Sequence, residues 1–169
     1  MATSLPTSSA AGTTISIVAG DPTTYDATGF AALVWENIGK IKNAGEFGKT
    51  FDLITNSYLS QRGKEKRKGT FDAGKLNLEV DVMTDAGQTA CEAALDSDLD
   101  YNFQIKFKNG VTYYVRGQVI SFTKKIGGPN DMLAATIGIE LNPEFAHLAE
   151  QRIAGARTRD TAGPARAAA

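Results

Sequence analysis

The sequence is short of the residue types on which catalysis and metal binding most often depend. Its 169 residues include one cysteine, Cys91, and one histidine, His147, so an intrachain disulfide framework is excluded. His147 has no neighbouring Cys or His, and neither a metal site nor a catalytic triad is predicted around it. Cys91 falls in a helical pattern, where a small apolar packing residue is expected. We therefore expect no enzyme activity, no cofactor and no metal.

Long apolar runs and an excess of charge of one sign are also missing. No run approaches the roughly 20 apolar residues that cross a bilayer, and the N-terminus has neither a basic start nor a hydrophobic signal core. The 18 basic and 19 acidic residues nearly cancel, so bulk charge predicts neither a nucleic-acid binder nor a membrane-surface protein. We expect that this chain does not insert into a membrane. We also expect that it stays in a reducing cytoplasm until it is assembled or released.

The sequence does have apolar residues that recur with the period of a β-strand. Leu76, Leu78 and Val80 alternate with polar residues, and the same alternation returns in residues 101–108 and 133–141. Such alternation is typical of antiparallel strands that are buried on one side. With 42% hydrophobic residues, the chain can form one domain with a substantial core, and the fold class is predicted to be mainly β.

One predicted strand, residues 111–124, is unusually long. Its 14 residues exceed the usual five or six, and a small domain rarely needs a strand of that length. The apolar positions change parity around Gly117, which predicts a bulge or bend there. Asn109-Gly110 predicts a two-residue hairpin turn before the strand.

One short helix is predicted at about residues 85–96, flanking the sheet. Asp85 is placed to cap it, and Gln88, three residues later, can reach back to complete the cap. Its apolar side is made mostly of small residues, which let a helix lie close to a sheet: Ala90, Cys91, Ala94 and Leu95.

The remaining segments are less regular. Residues 1–13 are small and polar, and residues 143–169 continue past Pro143 into a tail rich in Ala and Arg, so both are expected to be flexible arms in a monomer. Short strands are predicted around residues 14–18 and 34–42. Residues 59–69 read as a long polar loop.

Three further patterns have a functional and a structural interpretation. Asp96, Asp98 and Asp100 offer ligands for a hard cation, although a solvated turn fits better without a closing glutamate. The glycines in 45–48 and 127–128 lack the complete pattern of a phosphate-binding loop. A basic run in the polar loop could follow a nucleic-acid backbone, but it lacks interleaved aromatics, and a solvated or partner-facing loop is favoured: Arg62, Lys64, Lys66, Arg67 and Lys68.

Several segments together resemble the major tail tube proteins of long non-contractile-tailed, lambda-like siphophages and related gene transfer agents. The resemblance covers roughly residues 12–142 by order of elements. It rests on these segments: Gly45-Glu-Phe-Gly-Lys-Thr-Phe51, Arg62-Gly63, Lys68-Gly-Thr-Phe71, Ala93-Ala-Leu-Asp-Ser-Asp98 and Gly117-Gln-Val-Ile-Ser-Phe122.

The resemblance implies a β-sandwich or barrel-like tail tube domain at residues 14–142, between an N-terminal arm at 1–13 and a C-terminal extension at 143–169. Six copies would form a ring, and rings would stack into the tube through which double-stranded DNA leaves the virion. Tape measure, tail terminator and distal tail proteins would be the other partners. The virion tail, assembled in the cytoplasm of the host bacterium, is the expected location.

Ring closure also agrees with the residues themselves, because strand pairing between copies would cover sheet edges that so many strands would otherwise expose. A lumen that lets DNA slide should repel phosphate, and Glu79, Asp81 and Glu140 are the predicted liners, although ordinary outer-surface charges explain them equally well. The basic run of the loop is predicted to avoid the lumen and to meet an acidic rim on the next ring.

Two other functions fit the sequence. The first is the tube subunit of another injection machine, such as a contractile phage or a type VI secretion system. The second is a monomeric β-sandwich that binds carbohydrate or nucleic acid, for which Trp35 and Tyr58 are the available aromatic residues.

Overall fold

The structure, a computed structural model, describes residues 9–60 and 62–142. It contains nine strands and two helices in those residues, in the following order: β1 Thr14–Val18, α1 Ala27–Ala31, β2 Glu36–Ile38, β3 Ile41–Asn43, β4 Thr50–Ser57, β5 Lys64–Asp72, β6 Lys75–Asp81, α2 Ala86–Leu95, β7 Tyr101–Lys106, β8 Thr112–Lys125 and β9 Ala134–Leu141. The mainly β fold with a short flanking helix is confirmed. Most of the predicted N-terminal arm, the whole C-terminal extension and His147 lie outside the described residues.

Seven strands form one antiparallel sheet in the order β2-β1-β7-β8-β9-β6-β3. Its two edge strands, β2 and β3, are consecutive in the chain and are joined only by Gly39 and Lys40. Three virtual Cα–Cα bonds span at most roughly 11 Å, so the two edges must lie close together. The sheet therefore curls into a barrel-like layer around its core, as the sequence predicts for the fold class.

The prediction of a single strand at residues 34–42 is wrong, because these residues form parts of two strands at opposite edges of the sheet. Lys40 adopts a left-handed backbone, with φ of 53°, and this turn sends Glu36–Ile38 to one edge and Ile41–Asn43 to the other. The sequence shows no clean alternation in this stretch because the chain changes partner strand halfway along it.

The core is formed by the strands whose alternation is clearest. Leu76, Leu78 and Val80 of β6 are fully buried, while the residues between them are exposed. Phe103 and Ile105 of β7 face the same core, as do Ile137 and Ile139 of β9. The other buried core residues are Ile15, Ile17, Ile38, Ala73, Cys91, Ala94, Val115, Val119, Ala135 and Leu141. The predicted inward faces of these strands are confirmed except at Leu133, which is exposed.

Strand β8 has the predicted 14 residues, but its bulge lies at Ile120, not at Gly117. Val119 pairs with Ile139 and Ser121 with Gly138, so Ile120 is the extra residue and is exposed. Gly117 is needed for another reason. A Cβ at this position would lie 2.1 Å from the carbonyl oxygen of Glu140 on β9. The glycine thus permits the close approach of β9, and the parity change is made three residues later.

Helix α2 begins as predicted, with the Asp85 carboxylate accepting a hydrogen bond from the Gln88 N–H at 2.6 Å. The Gln88 side chain, however, does not return to Asp85. Its Oε1 accepts from the Met83 N–H at 3.1 Å, and its Nε2 donates to the carbonyls of Asp81 and Gly39. Asp85 also accepts from the Gly39 N–H at 2.8 Å, so the helix start holds the turn that joins the two sheet edges.

The hairpin between β7 and β8 differs in detail from the predicted two-residue turn. The Gly110 N–H donates to the Phe107 carbonyl at 3.0 Å, which makes Lys108 and Asn109 the central residues. Gly110 follows them with φ of 85°, while Asn109 has no positive φ. A type I′ turn needs positive φ at both central residues, so this is a longer loop with a left-handed glycine.

The prediction of a long loop at residues 59–69 is also wrong. After a turn, residues 64–69 form the first part of β5, and β4 and β5 pair antiparallel as a separate two-stranded sheet. Because both faces of this hairpin are solvated, its residues lack the apolar alternation that marks a half-buried strand.

Candidate assembly surfaces

The β4–β5 hairpin is an arm that adds nothing to the core. All eight residues of β4 are exposed, and so are the first five of β5. Several of its large apolar side chains lie in water: Phe51, Leu53, Ile54, and Tyr58 and Leu59 in the turn. A lone two-stranded hairpin is at best marginally stable, and exposed apolar residues of this kind mark interaction sites. The arm therefore lacks a partner in the monomer.

The strand register divides the predicted basic residues between two faces of the arm. Lys68, Lys66 and Lys64 are opposite Leu53, Thr55 and Ser57, respectively, and all six side chains share one side. We call the three lysines the lysine face. Arg67 is opposite Ile54 on the other side, and Arg62 is exposed in the turn before β5. The five residues that the sequence groups together are therefore not one surface.

The base of the arm is held by aromatic contacts. The rings of Phe51 and Phe71, which face each other across the strands, have centroids 5.5 Å apart. Lys68 Nζ lies 4.9 Å from the Phe51 ring centre and Lys49 Nζ 5.8 Å from that of Phe71, within the range of cation–π attraction. These contacts hold the two strands together at the base of the arm.

The predicted lumen-lining carboxylates lie on neighbouring strands of the main sheet. Glu79 and Glu140 are exposed on the outer side, and the register places Lys75 opposite Glu140 and Thr136 opposite Glu79. Asp81 differs, because its side chain is only 23% exposed and forms an ion pair with Lys42 at 2.5 Å. Glu79 and Glu140 are thus exposed negative charges that would repel a passing anion, whereas the charge of Asp81 is compensated by Lys42.

A group of carboxylates surrounds the middle of β8. Arg116 forms an ion pair with Asp21 at 2.5 Å, and its Nε lies 3.6 Å from Asp100 Oδ2. Gln118 donates to the backbone carbonyl of Asp98 at 3.2 Å, and Asp96 precedes it at the end of α2. We call Asp21, Asp96, Asp98 and Asp100 the acidic patch. Asp21, Asp96 and Asp98 are exposed. In the ion pairs given above, the cation is Arg116.

The connection between β8 and β9 exposes apolar side chains that the sequence pattern does not predict to be exposed. Ile126 is 83% exposed, and Met132 and Leu133 are also in solvent. Leu133 belongs to the predicted apolar face of its strand, but β9 begins one residue later, so the side chain is not covered. A short apolar cluster beside a Gly-Gly-Pro turn is the signal that could have identified it.

The glycine-rich segment before the arm forms an open groove, not a phosphate-binding loop. The groove has a volume of about 570 Å³ and is lined by residues 45–50, Gly74, Lys75 and Asn77. Gly45 and Gly74 have φ of 63° and 82°, and no helix begins after either one. These glycines turn the chain into and out of the arm.

Within residues 9–60 and 62–142, no group of three or more His, Cys, Asp or Glu residues is arranged to hold a metal ion. Burial, with a smaller contribution from the Asp85 carboxylate, raises the pKa of the Cys91 thiol to about 12, which makes it an unreactive packing residue. The hydrogen bonds that the carboxylate of Asp26 accepts from Gly29 N–H and from Thr24 lower its pKa, as expected of a helix cap. No helix in the described part of the chain is long and apolar enough to cross a membrane.

Comparison with known proteins identifies the class. The family model of the lambda phage tail tube protein matches residues 17–145, well over half of the chain. The fold is similar to a chain in the cryo-EM structure of the anti-feeding prophage baseplate, 6-fold symmetrised, with a TM-score of 0.60, 12% identity, and 82% of this chain and 93% of that chain covered. No curated protein matches the sequence significantly. The chain therefore belongs to the lambda phage tail tube protein family, and it is a structural component of the virion tail.

Proposed function

We propose that six copies of this chain close into a ring, and that the rings stack into the tail tube through which double-stranded DNA is ejected. Family membership supports the tube, and the similar fold in the anti-feeding prophage baseplate comes from a six-fold symmetrised structure. The tube is assembled in the cytoplasm of the host. Its remaining partners are the tape measure, tail terminator and distal tail proteins, as the resemblance implies.

The observation that carries the proposal is the β4–β5 arm. It projects from a domain whose core is complete without it, it exposes apolar side chains along its length, and both of its edges have unpaired backbone groups. A monomer gains nothing from such an arm. A contact that joins two different surfaces of identical subunits, by contrast, generates closed rings or open stacks, which are the two elements of a tube.

The charged residues have separate places in this tube. Glu79 and Glu140 line the lumen and repel the DNA phosphates, whereas Asp81, already paired with Lys42, contributes less than the sequence predicts. Of the five basic residues that the sequence groups together, Lys64, Lys66 and Lys68 share one face of the arm and contact the next ring, whereas Arg62 lies in the turn and Arg67 on the opposite face. Cation contacts to a neighbouring subunit keep this positive charge away from the DNA.

Assembly of the purified protein tests the proposal. Size-exclusion chromatography and negative-stain electron microscopy over a concentration series should show rings or tubes, either spontaneously or after seeding with tail-tip complexes. Six-fold symmetry should be visible in end views. A chain that stays monomeric at every concentration, seeded or not, contradicts the proposal.

A tube of a contractile injection machine is the second candidate, because the similar fold occurs in the anti-feeding prophage. Such a tube needs an outer surface that binds a sheath. The monomeric binding module loses its support, since Trp35 Nε1 donates to the Phe30 carbonyl at 3.0 Å and its ring packs against Tyr114, with centroids 5.6 Å apart. Trp35 therefore does not pair with Tyr58 to form the aromatic binding surface that such a module would need.

A further inference from the structure

We propose that the lysine face of the arm docks on the acidic patch of a second copy of this chain. The inference rests on the proposed tube function, but it goes further, since it names one face of the arm and the surface that receives it. Arg67, on the opposite face, has no part in this contact.

The lysine face presents three cations in a row. Residues two apart in a strand are roughly 6.6 Å apart, and Lys64, Lys66 and Lys68 occupy alternate positions of β5. Their direct cross-strand partners, Ser57, Thr55 and Leu53, carry no charge. The opposite face carries both signs, because Glu65 and Asp52 lie on that side with Arg67. The arm is therefore positive on one side only.

The acidic patch has its own need for a cation. Asp96 is the C-terminal cap of α2. The last turn of that helix has no basic residue of its own, and Lys124 of β8 is already paired with Glu92 in that turn. Carboxylates are unfavourable near a helix C-terminus, where the backbone carbonyls already carry partial negative charge. Asp98 is exposed two residues further on, and Arg116 is engaged with Asp21 and Asp100. Lysines from outside would compensate both the carboxylates and the helix end.

The lysines must come from another copy. Every residue of β4, and Lys64 to Lys68 of β5, is exposed, so the arm of the same chain does not cover the body. The arm and the patch are different surfaces, which makes the contact head-to-tail and lets it repeat from copy to copy. Exposed ion pairs of this kind are screened within a Debye length of roughly 8 Å at physiological salt, so assembly should weaken as salt rises.

Charge reversal on each side, followed by their combination, tests the proposal. Lys66→Glu with Lys68→Glu should raise the protein concentration needed for assembly by about tenfold, and Asp96→Lys with Asp98→Lys should do the same. The four changes together should restore assembly to within about threefold of the wild type, since each pair is re-formed with its signs exchanged. Circular dichroism confirms that each variant is folded.

Arg67→Glu is the matched control for the single change Lys66→Glu, because it makes the same charge change one residue away on the other face of the arm. It should leave the assembly concentration within about twofold of the wild type. Equal losses from Arg67→Glu and Lys66→Glu, or a combined variant that does not recover, overturn the proposal. A third result that overturns it is normal assembly of the lysine variants with lost binding to a 20-bp DNA duplex, which would make nucleic acid the partner.

A second measurement separates this inference from the proposed function. A carbodiimide links lysine amines directly to carboxylates, and a mixture of ¹⁵N-labelled and unlabelled protein distinguishes links between copies by mass spectrometry. Links from Lys66 or Lys68 to Asp96 or Asp98 between copies support the docking even if no tube forms. Tubes without these links leave the tube function standing and refute the docking.

Discussion

Single residues in this protein are specified mainly by close packing around helix α2. Gly87 lies where a Cβ would be 2.3 Å from the Asn37 carbonyl oxygen, and Cys91 and Ala94 are fully buried against the sheet. A helix with larger side chains at these positions could not approach β2. The packing that excludes water from the Cys91 thiol thus also keeps this thiol in its neutral form.

The raised pKa of Cys91 makes a prediction for stability at alkaline pH. The thiol ionises near 9.0 in the unfolded chain but only near 12 in the folded one, so the folded state holds its proton more tightly between these values. This contribution to the free energy of unfolding is present below pH 9 and is lost as the pH rises, by about 1.4 kcal/mol per unit. Urea unfolding should show the stability difference between wild type and Cys91→Ala shrinking by about 1.4 kcal/mol between pH 7 and pH 10. A difference that does not change with pH contradicts this account.

At the level of elements, the joint between β2, β3 and α2 closes the sheet. Gly39 donates its N–H to Asp85 and accepts from Gln88, while Gln88 also holds the Asp81 carbonyl at the end of β6. One helix start therefore connects both edges of the seven-stranded sheet. Loss of either the Asp85 or the Gln88 side chain would remove hydrogen bonds that hold this turn to the helix start.

Gly87→Ala tests this joint. Alanine raises helix propensity by up to about 1 kcal/mol, but the added methyl meets backbone atoms of Asn37 and Ile38, which cannot move aside as a flexible side chain can. We expect a net loss of about 1–3 kcal/mol in the free energy of unfolding, measured by urea titration. Gly63→Ala, where no atom lies within 4 Å, is the control and should change stability by less than about 0.5 kcal/mol. A Gly87→Ala protein as stable as the wild type would show that the helix is free to shift.

The sequence predicts elements whose signal is local and misses those set by distant partners. The cap at Asp85 is predicted correctly because a cap bonds within its own helix, and β6 is predicted correctly because one of its faces is buried along its length. The turn at Lys40 depends on two strands that are far apart in sequence. For the lysine face the sequence predicts a loop, since a strand that is solvated on both sides has no apolar period.

At the scale of the molecule, charge is distributed by sign. The arm is basic on one face, carboxylates gather around β8, and Glu79 and Glu140 are exposed on the outer side of the sheet. A net charge of −1 conceals this pattern because the regions cancel. In the tube proposed above, such an arrangement would place positive charge at contacts between subunits and negative charge where DNA passes.

Reversing the lumen charge should make the tube retain DNA. We expect Glu79→Lys with Glu140→Lys to form tubes, because neither side chain is buried, and to bind linear duplex DNA that wild-type tubes release. The retained DNA is measured by co-sedimentation of labelled duplex with tubes at low salt, and retention should fall steeply as salt rises. Glu36→Lys, an exposed reversal on edge strand β2, is the control and should not retain DNA. Equal retention by both variants would mean that DNA binds the outside of the tube, and that the outer face of β6 and β9 does not line the lumen.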